Sequence, residues 1–323
     1  MNNITLIAQC DDDVGFGHIK RAFHVYKKIR KHFNLSFFLT KRNKTFYFFF
    51  KNKKKIVKNS FFVKKIIKSD LIIIDDLNLP KKNFKILKKK KILSLSPKSK
   101  LNSYADIIFG RCDPVGNYNK KSKIYSDYKY FISGTRSRSK FNFNFYKKNL
   151  FKTIKIGIQM SGYDRDNLML KILTFIKKLN KNFLLFISLS NKSILNQIKI
   201  KNFLDKKNFN YTIVPKNKNW SYFKKCNLLI LAGGISVFEA IKFGIPSINV
   251  VNKKWKLKIL ESLITKKITT VFFKDNLDQM NYFLKNITKK KLIINAEKLK
   301  KYNMIYPSNN SINELIKIIK KNI

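Results

Sequence analysis

Residues 228–246 read Leu-Leu-Ile-Leu-Ala-Gly-Gly-Ile-Ser-Val-Phe-Glu-Ala-Ile-Lys-Phe-Gly-Ile-Pro, and several local signals follow one another along them. Leu228 to Leu231 form a continuous apolar run of strand length, as expected for a parallel strand buried on both faces. Gly233 and Gly234 then let the chain turn tightly into a helix that runs to Phe243. Gly244 stops that helix, and Pro246 leads into another strand at Ile245 to Val251. Such a unit predicts an α/β protein with parallel sheets and right-handed crossovers. The first turn of the helix offers backbone N–H groups that have no partner within the helix, at the positive end of its dipole. That suits a diphosphate. Ser236 adds a hydroxyl to the anion site, and Glu239, one turn in, can accept hydrogen bonds from a ribose diol. The plainer alternative is a strand–helix–strand unit with a convenient C-cap and Glu239 as a solvated charge. The coincidence of several needed features favours the binding site.

The same alternation extends outward in both directions. In the second half, Thr153 to Ile158, Asn182 to Leu189 and Tyr211 to Val214 read as strands, and Asn167 to Leu179 as a helix. In the first half, Ile4 to Ala8, Leu35 to Leu39, Leu71 to Ile74, Ile92 to Leu95 and Asp106 to Phe109 are strands. A helix from about Gly17 to Arg30 carries Ala22, Phe23, Tyr26 and Ile29 at three- and four-residue spacing. Residues 110–150 have little periodicity and hold Gly110-Arg111, Pro114, Gly116 and Gly134. The expected division is therefore an N-terminal domain over 1–150 and a C-terminal domain over 151–323. The C-terminal domain carries the terminal amphipathic helix of Ile312, Leu315, Ile316, Ile318 and Ile319. Two such α/β units in tandem imply a ligand cleft between them, at the carboxyl ends of their strands.

Between the first strand and its helix stands Asp11-Asp12-Asp13-Val14-Gly15-Phe16-Gly17-His18-Ile19-Lys20-Arg21. Gly15 and Gly17 allow close backbone approach to a ligand. His18, at the helix start, has the chemistry of a general base that works near neutrality. An ordinary glycine turn beside a histidine is an equal alternative on these residues alone. The dinucleotide fingerprint is absent, because its third glycine position holds Lys20, so NAD binding is disfavoured.

The 323 residues suit two domains of ordinary size. The formal charge of +52 would normally point to nucleic acid or an anionic membrane surface. Here only seven of the 70 basic residues are arginine, the better reader of bases and phosphates, and lysine is spread through every segment. Abundant Lys, Asn, Ile and Phe with scarce Gly, Ala and Pro is the residue set of AT-rich codons. Nucleic-acid binding is thus not expected, although anionic ligands and weak association with anionic surfaces are. Cys10, Cys112 and Cys226 form no CxxC pair and read as reduced structural thiols. With histidine only at 18, 24 and 32, no metal site is expected. No run of apolar residues has transmembrane length, and the N-terminus lacks the pattern of a signal peptide. A soluble, cytoplasmic protein is the expectation.

The 231–246 segment resembles the UDP-binding signature of GT-B glycosyltransferases of the undecaprenyl-muramoyl-pentapeptide GlcNAc-transferase type. The Gly15-Phe16-Gly17-His18 segment, with Arg21, resembles the corresponding motif of the related UDP-diacetamido-trideoxy-altropyranose hydrolase of pseudaminic acid synthesis. The likeness spans most of residues 4–275. It includes a strand ending at Ile74-Asp75, the Gly134 to Phe141 crossover, and Met160-Ser161-Gly162-Tyr163-Asp164, where the family usually has GGxD. It implies a GT-B fold: two Rossmann-like domains with parallel sheets facing a cleft, the nucleotide held mainly by the C-terminal one. It also implies roles. His18 is the general base that activates water, and Gly15 and Gly17 shape the loop near the diphosphate. Gly233, Gly234 and Ser236 bind phosphate, Glu239 binds ribose, and Ser161 and Gly162 line the substrate site. Neither metal nor cofactor is needed.

The chain departs from the family at three places. Asp75-Asp76-Leu77 lacks an aromatic sugar contact, Ser161 replaces a glycine, and Val251-Asn252-Lys253-Lys254-Trp255 stands where Asn-Gln usually faces the sugar. Asn252 substitutes if the register slips by one residue. The leading expectation is an enzyme that hydrolyses a UDP-amino-sugar and releases UDP for surface glycan synthesis. The alternatives are an inverting GT-B glycosyltransferase, with His18 acting on an acceptor hydroxyl, and a non-catalytic basic binding protein.

Overall fold

The computed structural model describes residues 1–9, 17–39, 66–75, 87–133, 143–150, 153–160, 164, 166–179, 181–189, 194–215, 218–306 and 310–323. The chain forms two compact units, Met1–Arg136 with Pro307–Ile323, and Ser137–Tyr306. Each is built on a six-stranded sheet in which every neighbouring pair is parallel.

The first sheet runs β2-β1-β3-β4-β5-β6, with β1 at Asn3–Ala8, β2 at Asn34–Leu39, β3 at Leu71–Asp75, β4 at Lys91–Ser94, β5 at Ile107–Gly110 and β6 at Lys123–Ser126. Side chains alternate between the faces of a strand, and both faces are buried. Ile4, Leu6, Leu71, Ile73, Leu93 and Phe109 pack against the helix Gly17–Ile29 and the helix Ser311–Asn322. Ile7, Ile72, Ile74, Ile92 and Ile108 form a second core on the other face, with Ile66, Leu87 and Leu101.

The second sheet runs β12-β11-β10-β7-β8-β9, with β7 at Ile154–Gln159, β8 at Phe183–Ser188, β9 at Tyr211–Ile213, β10 at Leu228–Leu231, β11 at Ser247–Val251 and β12 at Thr270–Phe273. Ile156, Ile158, Leu185, Leu228, Ile230 and Ile248 share one core with the helices Leu168–Lys178, Leu277–Lys285 and Lys289–Ile305. On the opposite face, a Cβ added at Gly157 would lie 2.9 Å from Phe223 Cδ1 and 2.5 Å from Leu229 Cδ2. The short helix Asn219–Phe223 therefore packs on β7 at a distance that only glycine permits.

The division differs from the sequence expectation at two points, and packing explains both. The helix Phe143–Leu150, expected in the first domain, belongs to the second unit. Its Tyr146 is buried and donates to the Asn227 carbonyl at 2.7 Å, and its Leu150 joins the second core. The terminal helix, expected in the C-terminal domain, instead returns to the first unit. There Ile312, Leu315, Ile318 and Ile319 complete the core, and Asn322 accepts a hydrogen bond from Lys123 at 3.3 Å. No helix among the described residues is long and apolar enough to cross a membrane.

Candidate functional site

In the first unit the site follows from two periodicities. Alternation along β3 puts Asp75 on the same face as Leu71 and Ile73, the face covered by the helix Gly17–Ile29. Along that helix, His18 and Arg21 stand three residues apart and so share one side of its first turn. The carboxylate therefore meets both. His18 Nδ1 lies 2.5 Å from Asp75 Oδ1. Arg21 grips the same carboxylate with two bonds, from Nε to Oδ2 at 2.7 Å and from Nη2 to Oδ1 at 2.5 Å. The Asp75 and Arg21 side chains are 0% and 4% exposed, whereas His18 keeps 13% of its side chain open.

Burial alone would push the Asp75 carboxyl up. The Arg21 and His18 charges and their hydrogen bonds outweigh it and hold Asp75 well below the usual carboxylate range. An ionised carboxylate only accepts, so Nδ1 of His18 is the donor. This fixes the tautomer that leaves Nε2 with its lone pair, which is the form a general base needs. The 3.3 Å separation of Arg21 Nη2 and His18 Nδ1 is then a close approach of two donors. Half-buried Arg111, just after β5, completes the electrostatic surroundings. Burial lowers its guanidinium to about 10, Arg21 adds to that effect, and Cys112 and Asp75 oppose it.

In the second unit the site is made mostly of backbone. Gly233 has φ +68°, in the left-handed region, and a Cβ there would sit 2.3 Å from Val251 Cγ1. Gly234, the N-cap of the helix Ile235–Lys242, has open space where a Cβ would point. The helix start, with half-buried Ser236 in its first turn, is thus accessible along its backbone. Glu239 is not a solvated charge: it is 7% exposed, and its Oε2 accepts from Trp220 Nε1 at 3.0 Å. Trp220 is itself packed against Phe243, with ring centroids 4.9 Å apart. The indole N–H thus holds the Glu239 carboxylate at a defined place, one turn into the helix Ile235–Lys242.

Two further segments named from the sequence lie near the Gly233 turn. Asp164, the acidic end of the Met160–Asp164 segment, caps a helix. Its two oxygens accept from Leu168 N at 2.9 Å and Met169 N at 3.0 Å, at a backbone φ of +28°. Asn252, just beyond β11, donates to Asp166 Oδ2 at 2.8 Å, and Lys274 lies 3.5 Å from the other Asp166 oxygen. Gly17 opens the first helix. Gly15, Ser161 and Gly162 lie outside the described residues, as do Cys10, Asp11 to Asp13, Asp76-Leu77 and the Gly134 to Phe141 crossover.

Sequence reasoning missed Asp75 as a partner of His18, gave Arg111 no role, and missed Trp220 altogether. The sequence signals for Asp75 were its place at the carboxyl end of a buried strand and that strand end's part in the family likeness, and neither pointed to His18. Trp220 gave none. Among the described residues, no group of three His, Cys, Asp or Glu side chains comes together to hold a metal ion. Cys112 and Cys226 are buried and unbridged, and burial pushes both thiols up.

No family model matches the chain, and no curated protein matches it in sequence. Solved structures share its fold at low identity. MurG of Acinetobacter baumannii aligns with a TM-score of 0.71 and 14% identity, over 99% of this chain and 100% of that one. HepE of Anabaena, solved in complex with UDP-glucose, aligns at 0.63 and 10% identity over 100% of both chains. The UDP-GlcNAc 2-epimerase of Neisseria meningitidis, bound to UDP-GlcNAc, aligns at 0.60 and 13% identity over 99% of this chain and 100% of that one. With two six-stranded parallel sheets and their flanking helices, the chain has the two Rossmann-like units of the GT-B fold.

Proposed function

We propose that this protein is a metal-independent nucleotide-sugar hydrolase that releases UDP from a UDP-amino-sugar. The observation that carries the reading is the bond from His18 Nδ1 to ionised, buried Asp75, which leaves Nε2 as the basic atom. In the proposed step Nε2 takes a proton from water while the water oxygen bonds to the anomeric carbon. The bond from that carbon to the diphosphate oxygen breaks, and UDP leaves with the electron pair. Gly233, Gly234 and Ser236 hold the diphosphate, whose growing charge is offset by the helix start, and Glu239 holds the ribose. Ser161, Gly162 and Asn252 belong to the sugar side, and Gly15 and Gly17 to the loop beside the diphosphate.

Support for the ligand class comes from the shared fold, since the HepE and epimerase structures contain UDP-sugars. The pseudaminic-type hydrolase motif that contains His18 and Arg21 supports water as the attacking group. The test is acceptor-free turnover. Full-length protein is incubated with UDP-2-acetamido sugars in ¹⁸O-labelled water, without any acceptor. The expected result is free UDP, with the label in the anomeric hydroxyl of the sugar. UDP release only after an acceptor alcohol is added would replace hydrolysis by glycosyl transfer. Label in the UDP phosphate would place the cleavage at the wrong bond.

A further inference from the structure

A small pocket opens in the second unit at the carboxyl ends of β7, β10 and β11, and Asp164, Asp166, Ala232, Asn252 and Lys256 are among the residues lining it. Its charges are unevenly satisfied. Asp164 is engaged by two backbone N–H groups, and Asp166 by Asn252 and Lys274. Lys256, half-buried in the helix Lys254–Thr265, donates to a neutral group, the Ala232 carbonyl, at 2.9 Å. Among the described residues no carboxylate lies within ion-pair distance of it. An ammonium has three donors, so the Ala232 bond leaves two for a ligand. Ala232 immediately precedes Gly233-Gly234, so this bond tethers the ammonium at the turn that opens the helix Ile235–Lys242. A second group on the cavity wall also lacks a partner: the Asn252 Oδ1 acceptor is buried without one.

We infer that Lys256 is the cation that binds the diphosphate of the nucleotide and fixes a positive charge beside the departing oxygen. The assignment rests on the nucleotide-sugar reading of the Gly233 turn and adds to it a named side chain. A half-buried ammonium that no carboxylate pairs directly is a costly arrangement that a bound anion relieves. It also completes a site whose other donors are backbone dipoles.

The inference carries a pH signature. Burial first, and then neighbouring Lys253, lower Lys256 to about 8, with Asp166 opposing. The charged groups around it are Lys253, the N-cap of its own helix, and Asp164 and Asp166 from the segment after β7, Asp166 being paired in turn with Lys274. A bound diphosphate favours the protonated amine, so affinity is greatest below about pH 8 and weakens as pH rises above it. The terminal phosphate has a second pKa of about 6 and is already fully charged there.

The experiment measures binding of UDP and of inorganic pyrophosphate by calorimetry to wild-type protein, Lys256→Met and Lys256→Arg, with melting temperatures taken alongside. Lys256→Met is expected to bind both ligands about tenfold more weakly, as for loss of one charge-assisted contact, while Lys256→Arg keeps most of the affinity. Wild-type affinity for UDP is expected to weaken between about pH 8 and 9.5, a slope absent from Lys256→Met. If Lys256→Met fails to fold, Lys256→Arg decides instead: its guanidinium stays charged, so its UDP affinity is expected to lose the slope that Lys256 adds in wild type. Unchanged affinity in a folded Lys256→Met, or the same pH slope in Lys256→Arg as in wild type, overturns the assignment while leaving the nucleotide-sugar reading intact. Loss of pyrophosphate binding in Lys256→Met by a protein that never binds UDP supports the anion site and removes the nucleotide. Wild-type protein that binds neither ligand overturns both.

Discussion

The first unit builds its site from side chains brought together across 57 residues of sequence, His18 and Arg21 closing on Asp75. The second unit builds its site from the backbone of one local segment, with Gly233 in a left-handed turn and Gly234 left open at a helix start. The two constructions respond differently to change. A buried, mutually paired charge cluster loses its chemistry when any member is neutralised, because the remaining charges are stranded in a poor dielectric. A backbone cradle is indifferent to many side chains but cannot accept a Cβ where two chain segments already touch. In the proposed function this corresponds to a division of labour: reactivity in the first unit, holding of the leaving group in the second.

Asp75→Asn should have the larger effect. It strands the Arg21 guanidinium and removes the acceptor that fixes the His18 tautomer. UDP release is expected to fall about 1,000-fold, in line with loss of general-base catalysis, with UDP affinity unchanged. Unfolding of the first unit should become easier by about 3–5 kcal/mol, the usual consequence of breaking a buried ion pair. The pH dependence follows in sign. The folded Asp75 carboxyl titrates below its unfolded value of about 3.9, so its contribution is complete above that pH and is lost as pH falls towards the folded value. The acid limb of the wild-type stability curve should therefore be shallower in the variant. Wild-type turnover by Asp75→Asn would break the comparison at its first half.

Gly233→Ala should have a smaller effect of a different kind. The new Cβ meets Val251 Cγ1 at 2.3 Å, at a φ of +68° that L side chains rarely adopt. Strain of about 1–3 kcal/mol is expected to distort the turn and weaken UDP binding by about 10- to 100-fold. The rate at saturating substrate should change little. A fall in that rate with UDP affinity preserved would mean that the turn serves the chemistry and not the holding.

This contrast also explains what the sequence reveals. The β10–helix–β11 unit is legible because its signals are contiguous: an apolar run, two glycines, a helix of one period and a glycine stop. The interior strands are legible for the same reason. β6 and β12, which the sequence reading did not find, are both sheet edges. Their residues are half-buried or exposed, so Lys123-Ile124-Tyr125-Ser126 and Thr270-Val271-Phe272-Phe273 carry neither a buried run nor a clean alternation. The partner of His18 was hidden for a topological reason. Asp75 meets it because β3 pairs beside β1, with Ala8 opposite Asp75, and local periodicity cannot reveal which strands are neighbours. Trp220 was hidden likewise, since its bond to Glu239 joins two elements separated by a strand. The terminal helix looked amphipathic in the sequence, but its pattern says only that one face is covered and not by which unit.

The division of labour is tested most directly by His18→Ala, assayed in parallel for UDP release and for UDP affinity. The expected result is a folded protein that binds UDP as wild type does and releases it from a nucleotide sugar at least about 1,000-fold more slowly. Wild-type release by His18→Ala, or a loss of turnover that merely follows a loss of UDP binding, would contradict it.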